Sequence, residues 1–416
     1  MTGVDLHADV AARIAARIRD AATGPARAHT LVVGARGSGK THVVDSAVGG
    51  TLGGSRLRRR VAVAWIGEDT VALSSYADLL LLIQRRLGGL DPRSATLRRD
   101  RNHVGLERRI EQSLGDRVLV LVLENLHHVF GAIGRSGAGA LRGWVESSGR
   151  VLVIATTPRV FRDVTARDEP WFGNFATERL RTLTDEDGRA LLLAAAHARR
   201  DTRLASFVES PTGLARVRAL RHLLGDSVRA WAVVADRVDV AMLDDFAGAV
   251  RVIRDSLTAY FTVRLRALPA DQQALVTELA LGSGAQSVGE LADHTGQDAK
   301  VTGTTLRRLT DAHLVTAAKV PGTDQRTTWY HLREPLLRLH LQWEALDSAA
   351  RGGVRGGAPP VPDVLCVLRE TYAAHPLDPA ASSLAAQVLA AMGGDISAYA
   401  HLPGDLRAIA APQPAP

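Results

Sequence analysis

The chain lacks most of what would hold a fold together covalently or through a metal. Cys366 is the one cysteine among 416 residues, which excludes an internal disulfide framework and a Cys-rich zinc site. The fourteen histidines are scattered, and the adjacent His127 and His128 cannot face one metal from one helical face. Aromatic residues are 4% of the chain, yet 46% hydrophobic and 23% charged residues describe a globular protein and exclude disorder for most of it. No apolar run approaches the roughly 18 residues that a spanning helix needs. Met1 to Asp20 has no apolar core of a secretory signal; instead Arg13, Arg17 and Arg19 alternate with apolar residues at helical spacing, so the expected location is cytoplasmic. Internal repeats are absent. Lysine is also scarce: Lys40, Lys300 and Lys319 are the only three, against 48 arginines.

One of those lysines falls in a motif. Gly34-Ala35-Arg36-Gly37-Ser38-Gly39-Lys40-Thr41 satisfies the P-loop pattern GxxxxGK[ST]. Before it, His29 to Val33 reads as a short buried strand, and after it Lys40 to Val48 reads as a helix. That order places a glycine-rich turn at a helix N-terminus. Gly34, Gly37, Ser38 and Gly39 then offer backbone N–H groups to the β- and γ-phosphates of ATP, reinforced by the positive end of the helix dipole. Lys40 would neutralise phosphate oxygens, and the Thr41 hydroxyl would ligate Mg²⁺.

Such a site also needs an acid at the end of a neighbouring buried strand. Val118 to Leu123 is uniformly apolar, as in a central parallel strand, and it ends at Glu124-Asn125. Glu124 occupies the metal side, and Asn125 stands where a catalytic base is expected. An amide cannot accept a proton from water at neutral pH. Either Glu124 is both metal-side acid and base, or the protein binds ATP tightly and hydrolyses it slowly.

Strands Val61 to Ile66, ending at Gly67-Glu68-Asp69, and Val151 to Ala155, ending at Thr156-Thr157-Pro158, alternate with helical patterns over Ser75 to Leu87, Gly105 to Leu114 and Gly139 to Glu146. Alternation of this kind predicts an α/β fold whose parallel sheet is covered on both faces, with Glu124 and Thr156 at the carboxyl edge beside the P-loop. The expected division is a P-loop nucleotide-binding domain over 1–182, an all-helical block over 183–265, a winged-helix domain over 266–350, and a flexible linker with a helical tail over 351–416. In the third part, helices Pro269 to Leu281, Ser287 to Ala292 and Asp298 to Ala312 precede strands Val315 to Ala318 and Thr327 to Leu332, joined through Pro321 to Asp324. This order is that of a winged helix, whose third helix can enter the major groove of double-stranded DNA. Lys300, Thr304, Arg307 and Arg308 on that helix, with Lys319 and Arg326 on the wing, are the candidate contacts.

Charge complicates the DNA reading. The chain carries +7, but residues 1–60 hold ten Lys/Arg against four Asp/Glu, nearly the whole excess, much of it in Arg56-Leu57-Arg58-Arg59-Arg60. Residues 268–334 hold six against eight, so that segment is slightly acidic, whereas domains that bind DNA mainly through phosphates are basic. The Arg run itself reads first as a solvated surface in an arginine-rich chain.

Together the Gly34 to Thr41 loop, the Glu124 and Thr156-Thr157 strand ends, Glu169-Pro170-Trp171-Phe172 with Phe175, the Gly225 to Arg229 turn, and Tyr330 to Leu337 resemble the AAA+ ATPases related to archaeal and origin-recognition initiators, a group that borders the STAND signalling NTPases. The resemblance covers roughly residues 25–345. It implies that the helical block is a lid, that Thr156 is a polar sensor of the γ-phosphate, and that Arg229 is a lid sensor. It also implies nucleotide-dependent assembly with an arginine finger, for which Arg142, Arg150, Arg159 and Arg162 are candidates. The Glu124-Asn125 ending and an extra residue in the Gly225 to Arg229 turn depart from the family pattern. The expected activity is that of an ATP-dependent switch with weak turnover. Its alternatives are a DNA-binding regulator with structural nucleotide, or a signalling NTPase that binds a protein partner in place of DNA.

Overall fold

Uniformly apolar runs bounded by Gly, Arg and Thr become the strands of a buried parallel sheet. A computed structural model of the chain describes residues 4, 6–53, 56–67, 73–89, 93–225, 227–244, 246–282, 285–312, 314–319 and 326–350. The expected linker and tail over 351–416, Glu68 and Asp69, Asp226, and the Pro321 to Asp324 connection lie outside those residues. Contacts separate a unit of residues Asp5–Thr182 from a second that begins at Leu183.

In the first unit, α1 (Ala8–Thr23) precedes β1 (Thr30–Val33) and α2 (Lys40–Leu52), and a 3-10 turn over Arg56–Arg59 leads into β2 (Val61–Ile66). Next come α3 (Tyr76–Leu87), α4 (Arg93–Arg99), α5 (His103–Leu114) and β3 (Val118–Leu123). The unit closes with α6 (Leu126–Ser148), β4 (Val151–Thr157), α7 (Arg162–Thr165) and β5 (Ala176–Arg179). Strand order is β2-β3-β4-β1-β5, and every neighbouring pair is parallel.

Side chains alternate between the two faces of a strand, and both faces here are covered. Leu119, Leu121 and Leu123 of β3 join Leu31, Val33, Val151 and Val153 in a core with Leu80 and Ile83 of α3, Ile110 of α5 and Phe130 of α6. Val120 and Val122 face the other way, with Val32, Leu152 and Ile154, against Ile14 and Ile18 of α1 and Val43 and Val44 of α2. The β3 run is apolar at every position because both of its faces are buried.

Three features depart from the sequence-based expectation. β5 extends the expected sheet; its Ala-Thr-Glu-Arg sequence is polar, and Glu178 is its one buried residue. That carboxylate accepts hydrogen bonds from Arg13 Nε at 2.9 Å and Arg17 at 2.7 Å, so two of the N-terminal arginines anchor α1 to the sheet. A second addition is α4, whose Arg98 pairs with the buried Asp78 of α3. Third, α6 starts at Leu126, directly after the β3 tip, and breaks at Gly134, where φ is 69°.

The second unit starts with α8 (Asp185–Arg199), α9 (Thr202–Glu209), α10 (Pro211–Leu224), α11 (Val228–Arg237), α12 (Val240–Asp244) and α13 (Phe246–Arg266). Thr184 and Asp187 form a reciprocal capping box that starts α8. Gly188 of α8 is a close-packing position, since a Cβ there would lie 2.5 Å from the buried Trp231 ring of α11. The chain continues through α14 (Ala270–Leu281), β6 (Gln286–Ser287), α15 (Val288–Thr295), α16 (Ala299–Asp311), β7 (Val315–Ala318), β8 (Trp329–Leu332) and α17 (Pro335–Ala350). The three short strands form an antiparallel sheet in the order β6-β8-β7. No helix among the described residues is long and apolar enough to cross a membrane.

Just before β1, His29 accepts a hydrogen bond from the Val153 N–H on Nδ1 at 3.1 Å and meets the Trp171 and Phe175 rings. Burial, partly opposed by the Glu146 carboxylate, pushes the imidazole down to about 4. The unfolded chain therefore takes up a proton near pH 6.5 that the folded chain refuses until about pH 4. This contribution is fully present above pH 6.5 and is lost as pH falls through that window, by about 3 kcal/mol in all. Urea unfolding between those limits should show a shallower pH dependence in His29→Gln than in the wild type; equal slopes would contradict a buried neutral His29.

Candidate functional site

The glycines of the loop after β1 take backbone angles that side-chain-bearing residues avoid. Gly37 has φ 81° and Gly39 has φ 91°, both left-handed. Gly39 is the N-cap of α2, and the first helical bond runs from Val43 N to Gly39 O at 2.9 Å. The positive end of the α2 dipole therefore begins inside the loop. Gly34 is needed for space: a Cβ there would sit 2.6 Å from Ser38 Oγ and 3.1 Å from Leu180 Cβ. Ser38 itself is buried, and its hydroxyl has no hydrogen-bond partner among the described residues. An orphan donor amid left-handed glycines at a helix N-terminus fits a phosphate group.

Lys40 arches back over the loop, its Nζ donating to the Gly34 carbonyl at 2.8 Å and the Ala35 carbonyl at 2.9 Å. The ammonium is thus held at the loop rather than out in solvent. Thr41 is exposed on the first turn of α2. Its hydroxyl and the Glu124 carboxylate are hard oxygen donors, the kind Mg²⁺ takes.

Glu124 follows β3 directly, with its N–H bonded to the Ile66 carbonyl at the tip of β2 at 3.0 Å. Its carboxylate lies over Gly67, where an added Cβ would approach Oε2 to 3.6 Å. Asn125 has φ 50° and ψ 56°, the left-handed region, and is the N-cap of α6. Asn and Asp tolerate that conformation better than other side-chain-bearing residues. The turn from β3 into α6 accordingly limits what can occupy position 125, whatever the chemistry requires.

The tip of β4 joins these parts. Thr157 O accepts from the Gly34 N–H at 3.2 Å, fastening the first residue of the loop to β4. Thr156 is buried, and its Oγ1 accepts from the Asn125 N–H at 3.1 Å. A hydroxyl that already accepts keeps its own proton to donate, which suits a contact to a phosphate oxygen. Gly34, Lys40, Glu124, Asn125 and Thr156 are thereby brought to one edge of the sheet.

His127 is a member of this edge that the sequence pattern does not reveal. Its Nδ1 lies 3.5 Å from Thr157 Oγ1, and its ring meets His128 and Phe161. Only the left-handed turn at Asn125, which starts α6 at once, brings it there, and no sequence pattern signals that turn. Among the described residues, no cluster of His, Cys, Asp and Glu has the makings of a metal centre.

Arg229 is exposed in the first turn of α11, with its guanidinium 5.2 Å from the Tyr260 ring centroid. Arg142 is paired with Glu146 at 2.6 Å, Arg162 with Asp168 at 3.0 Å, and Arg150 donates to the Gly115 carbonyl. Arg159 is exposed just beyond β4, and its carbonyl accepts from the Thr157 hydroxyl at 2.8 Å. On α16, Lys300, Thr304, Arg307 and Arg308 are exposed while Thr302, Thr305, Leu306 and Leu309 are buried. Lys319 is exposed and donates to the Arg326 and Thr327 carbonyls at 3.1 and 3.2 Å; Arg326 is exposed.

Comparison with protein-family models and with curated proteins finds no match. Comparison with solved structures does. The ORC2 protein of Aeropyrum pernix, in ADPNP–ADP complexes, is similar over 80% of this chain and 91% of its own, with a TM-score of 0.52 and 15% identity. The Aeropyrum pernix ORC1 protein in complex with DNA matches over 84% and 95%, with a TM-score of 0.49 and 14% identity. Drosophila ORC bound to DNA follows at 0.41 and 11% identity, over 83% and 95%. By the ORC2 likeness, carried on a β2-β3-β4-β1-β5 sheet with a glycine-rich loop after β1, the chain has the α/β fold of the AAA+ P-loop ATPases.

Proposed function

We propose that the chain is an ATP- and Mg²⁺-dependent switch in which nucleotide state governs how the second unit engages double-stranded DNA. The observation that carries this reading is the Gly34 to Thr41 loop, with its left-handed glycines, buried Ser38 hydroxyl and Lys40 folded onto it. The archaeal ORC2 structure whose fold it shares holds ADPNP and ADP, which supports a nucleotide here.

In this reading Gly37 and Gly39 cradle the phosphates through backbone N–H groups, Ser38 adds its hydroxyl, and Gly34, whose own N–H is bonded to the Thr157 carbonyl, leaves the room the loop needs. Lys40 turns from the Gly34 and Ala35 carbonyls to phosphate oxygens. Thr41 and Glu124 would hold Mg²⁺, which would supply positive charge to offset that of the phosphate oxygens. Thr156 donates its free proton to the γ-phosphate while its oxygen keeps the Asn125 turn in place, so loss of that phosphate is felt at the start of α6. Arg229 serves as the sensor in the helical lid, α8 to α13. Turnover is slow because Asn125 cannot act as a base.

The α14 to β8 segment is a winged helix in this reading. Its α16 presents Lys300, Arg307 and Arg308, and the β7–β8 wing presents Lys319 and Arg326. The acidic balance of residues 268–334, six Lys/Arg against eight Asp/Glu, favours a second reading in which that surface docks a protein partner, as in a signalling NTPase.

Lys40→Ala is expected to abolish ATP binding in calorimetry while leaving the unfolding midpoint in place; unchanged affinity would contradict the site. Thr41→Ala should weaken binding when Mg²⁺ is present and have little effect when it is chelated. A third variant separates the two roles left open for Glu124. Asn125→Asp keeps a side chain that tolerates the left-handed turn and restores a carboxylate, so ATP turnover should rise by about tenfold or more. Unchanged turnover would assign the base to Glu124.

A further inference from the structure

Several arginines of the described residues are neutralised where they stand. Arg13 and Arg17 share Glu178, Arg98 meets Asp78, Arg135 and Arg162 face Asp168 and Glu169, and Arg218 and Arg221 face Asp185. One run stands out by its density. Arg56, Arg58, Arg59 and Arg60, in and just after the 3-10 turn before β2, are all exposed, and none is in an ion pair among the described residues.

The parallel sheet brings two more charges to the same place. Arg60 immediately precedes β2, Arg117 precedes β3 and Arg150 precedes β4. Val118 N donates to Arg60 O at 2.8 Å, and Leu119 N donates to Arg150 O at 2.9 Å, so the three backbones are hydrogen-bonded neighbours along one sheet edge. Strands lie about 4.8 Å apart, so the row is about 10 Å wide. It occupies the amino edge of the sheet, the end opposite the P-loop.

Arg117 and Arg150 are fixed by neutral groups. Arg117 donates to the Leu114 and Ser113 carbonyls at 3.0 and 2.7 Å, and Arg150 donates to the Gly115 carbonyl. Carbonyls orient a guanidinium at a helix C-terminus without cancelling its charge. Asp116 is the one carboxylate within segments 56–60, 113–117 and 148–150, and it is not in an ion pair among the described residues. None of the exposed large apolar side chains belongs to these segments. An interface with a folded protein is anchored by buried aromatic or aliphatic side chains. A surface of oriented charge without such an anchor fits a polyanion bound by counterion release.

We propose that the amino edge of the first unit's sheet, built from Arg56, Arg58, Arg59, Arg60, Arg117 and Arg150, is a binding face for the phosphate backbone of duplex DNA. It reads no sequence, since phosphate contacts carry none. It is separate from the α16 surface, which belongs to the other unit and is tested by other variants.

The test is fluorescence anisotropy of the full chain on a labelled random-sequence duplex of about 30 base pairs, between roughly 50 and 200 mM salt. Arg56→Ala/Arg58→Ala/Arg59→Ala should lower affinity by at least about tenfold and flatten the log–log salt slope by about 2 to 3. The corresponding triple Arg→Lys variant should keep the slope, and both variants should keep ATP affinity as a check on folding. An unchanged slope in the triple Ala variant would overturn the proposal. So would loss of binding confined to Lys300→Ala/Arg307→Ala/Arg308→Ala, which would leave α16 as the whole DNA surface. Equal competition by poly-glutamate at matched charge would also overturn it, by assigning the face to an acidic protein.

Discussion

The two hydrogen bonds at the tip of β4 are the constraint on which the site depends. Thr157 O holds the first glycine of the phosphate loop, and Thr156 Oγ1 holds the residue after the β3 acid. β4 can do both because it lies between β3 and β1 in a sheet buried on each face. Val33 is level with Thr157, and Leu123 with Ala155, so β4 runs on past the end of β3 and reaches the turn that follows it. Move β4 by one residue and Thr156 would turn to the other face, since the strand period is two.

From that joint the rest of the unit follows. The apolar β3 run positions Glu124 because neither face of the strand can shift without exposing a leucine or a valine. The Asn125 turn starts α6 at once and brings His127 against Thr157. At the other end of the same strands, helix C-termini meet the residues that precede β3 and β4, and Arg117 and Arg150 bond to carbonyls there. A parallel sheet thus has two chemically unlike ends: glycine, threonine and carboxylate at one, arginine at the other. In the reading proposed above, the first end takes a nucleotide and the second a longer polyanion.

Much of this is legible in the order of the amino acids. The P-loop carries its own geometry, because a left-handed turn needs glycine: the pattern supplies one at position 39, and this chain adds another at 37. β2, β3 and β4 announce themselves through apolar runs of the right length. β5 does not, since an edge strand with one buried residue has no apolar signature, and its buried residue is a glutamate held by two arginines 161 and 165 positions away. α4 is hidden for a related reason: it is short and arginine-rich, and its buried Ser94 bonds to Gln84. Asn125 can be read from sequence only as a missing base. Its left-handed angles supply a conformational reason for the amide that composition cannot show. The Arg56 to Arg60 run reads by itself as a solvated surface; the sheet register is what sets Arg117 and Arg150 beside it.

Coupling between nucleotide at the loop and DNA at the second unit, as proposed, requires the two nucleotide states to differ in DNA affinity. The most direct measurement is the DNA dissociation constant of one preparation with and without saturating ATP and Mg²⁺, alongside Lys40→Ala. A coupled switch gives a difference of at least about fivefold in the wild type and none in the variant. Equal affinities in the wild type, with ATP binding intact, would contradict it.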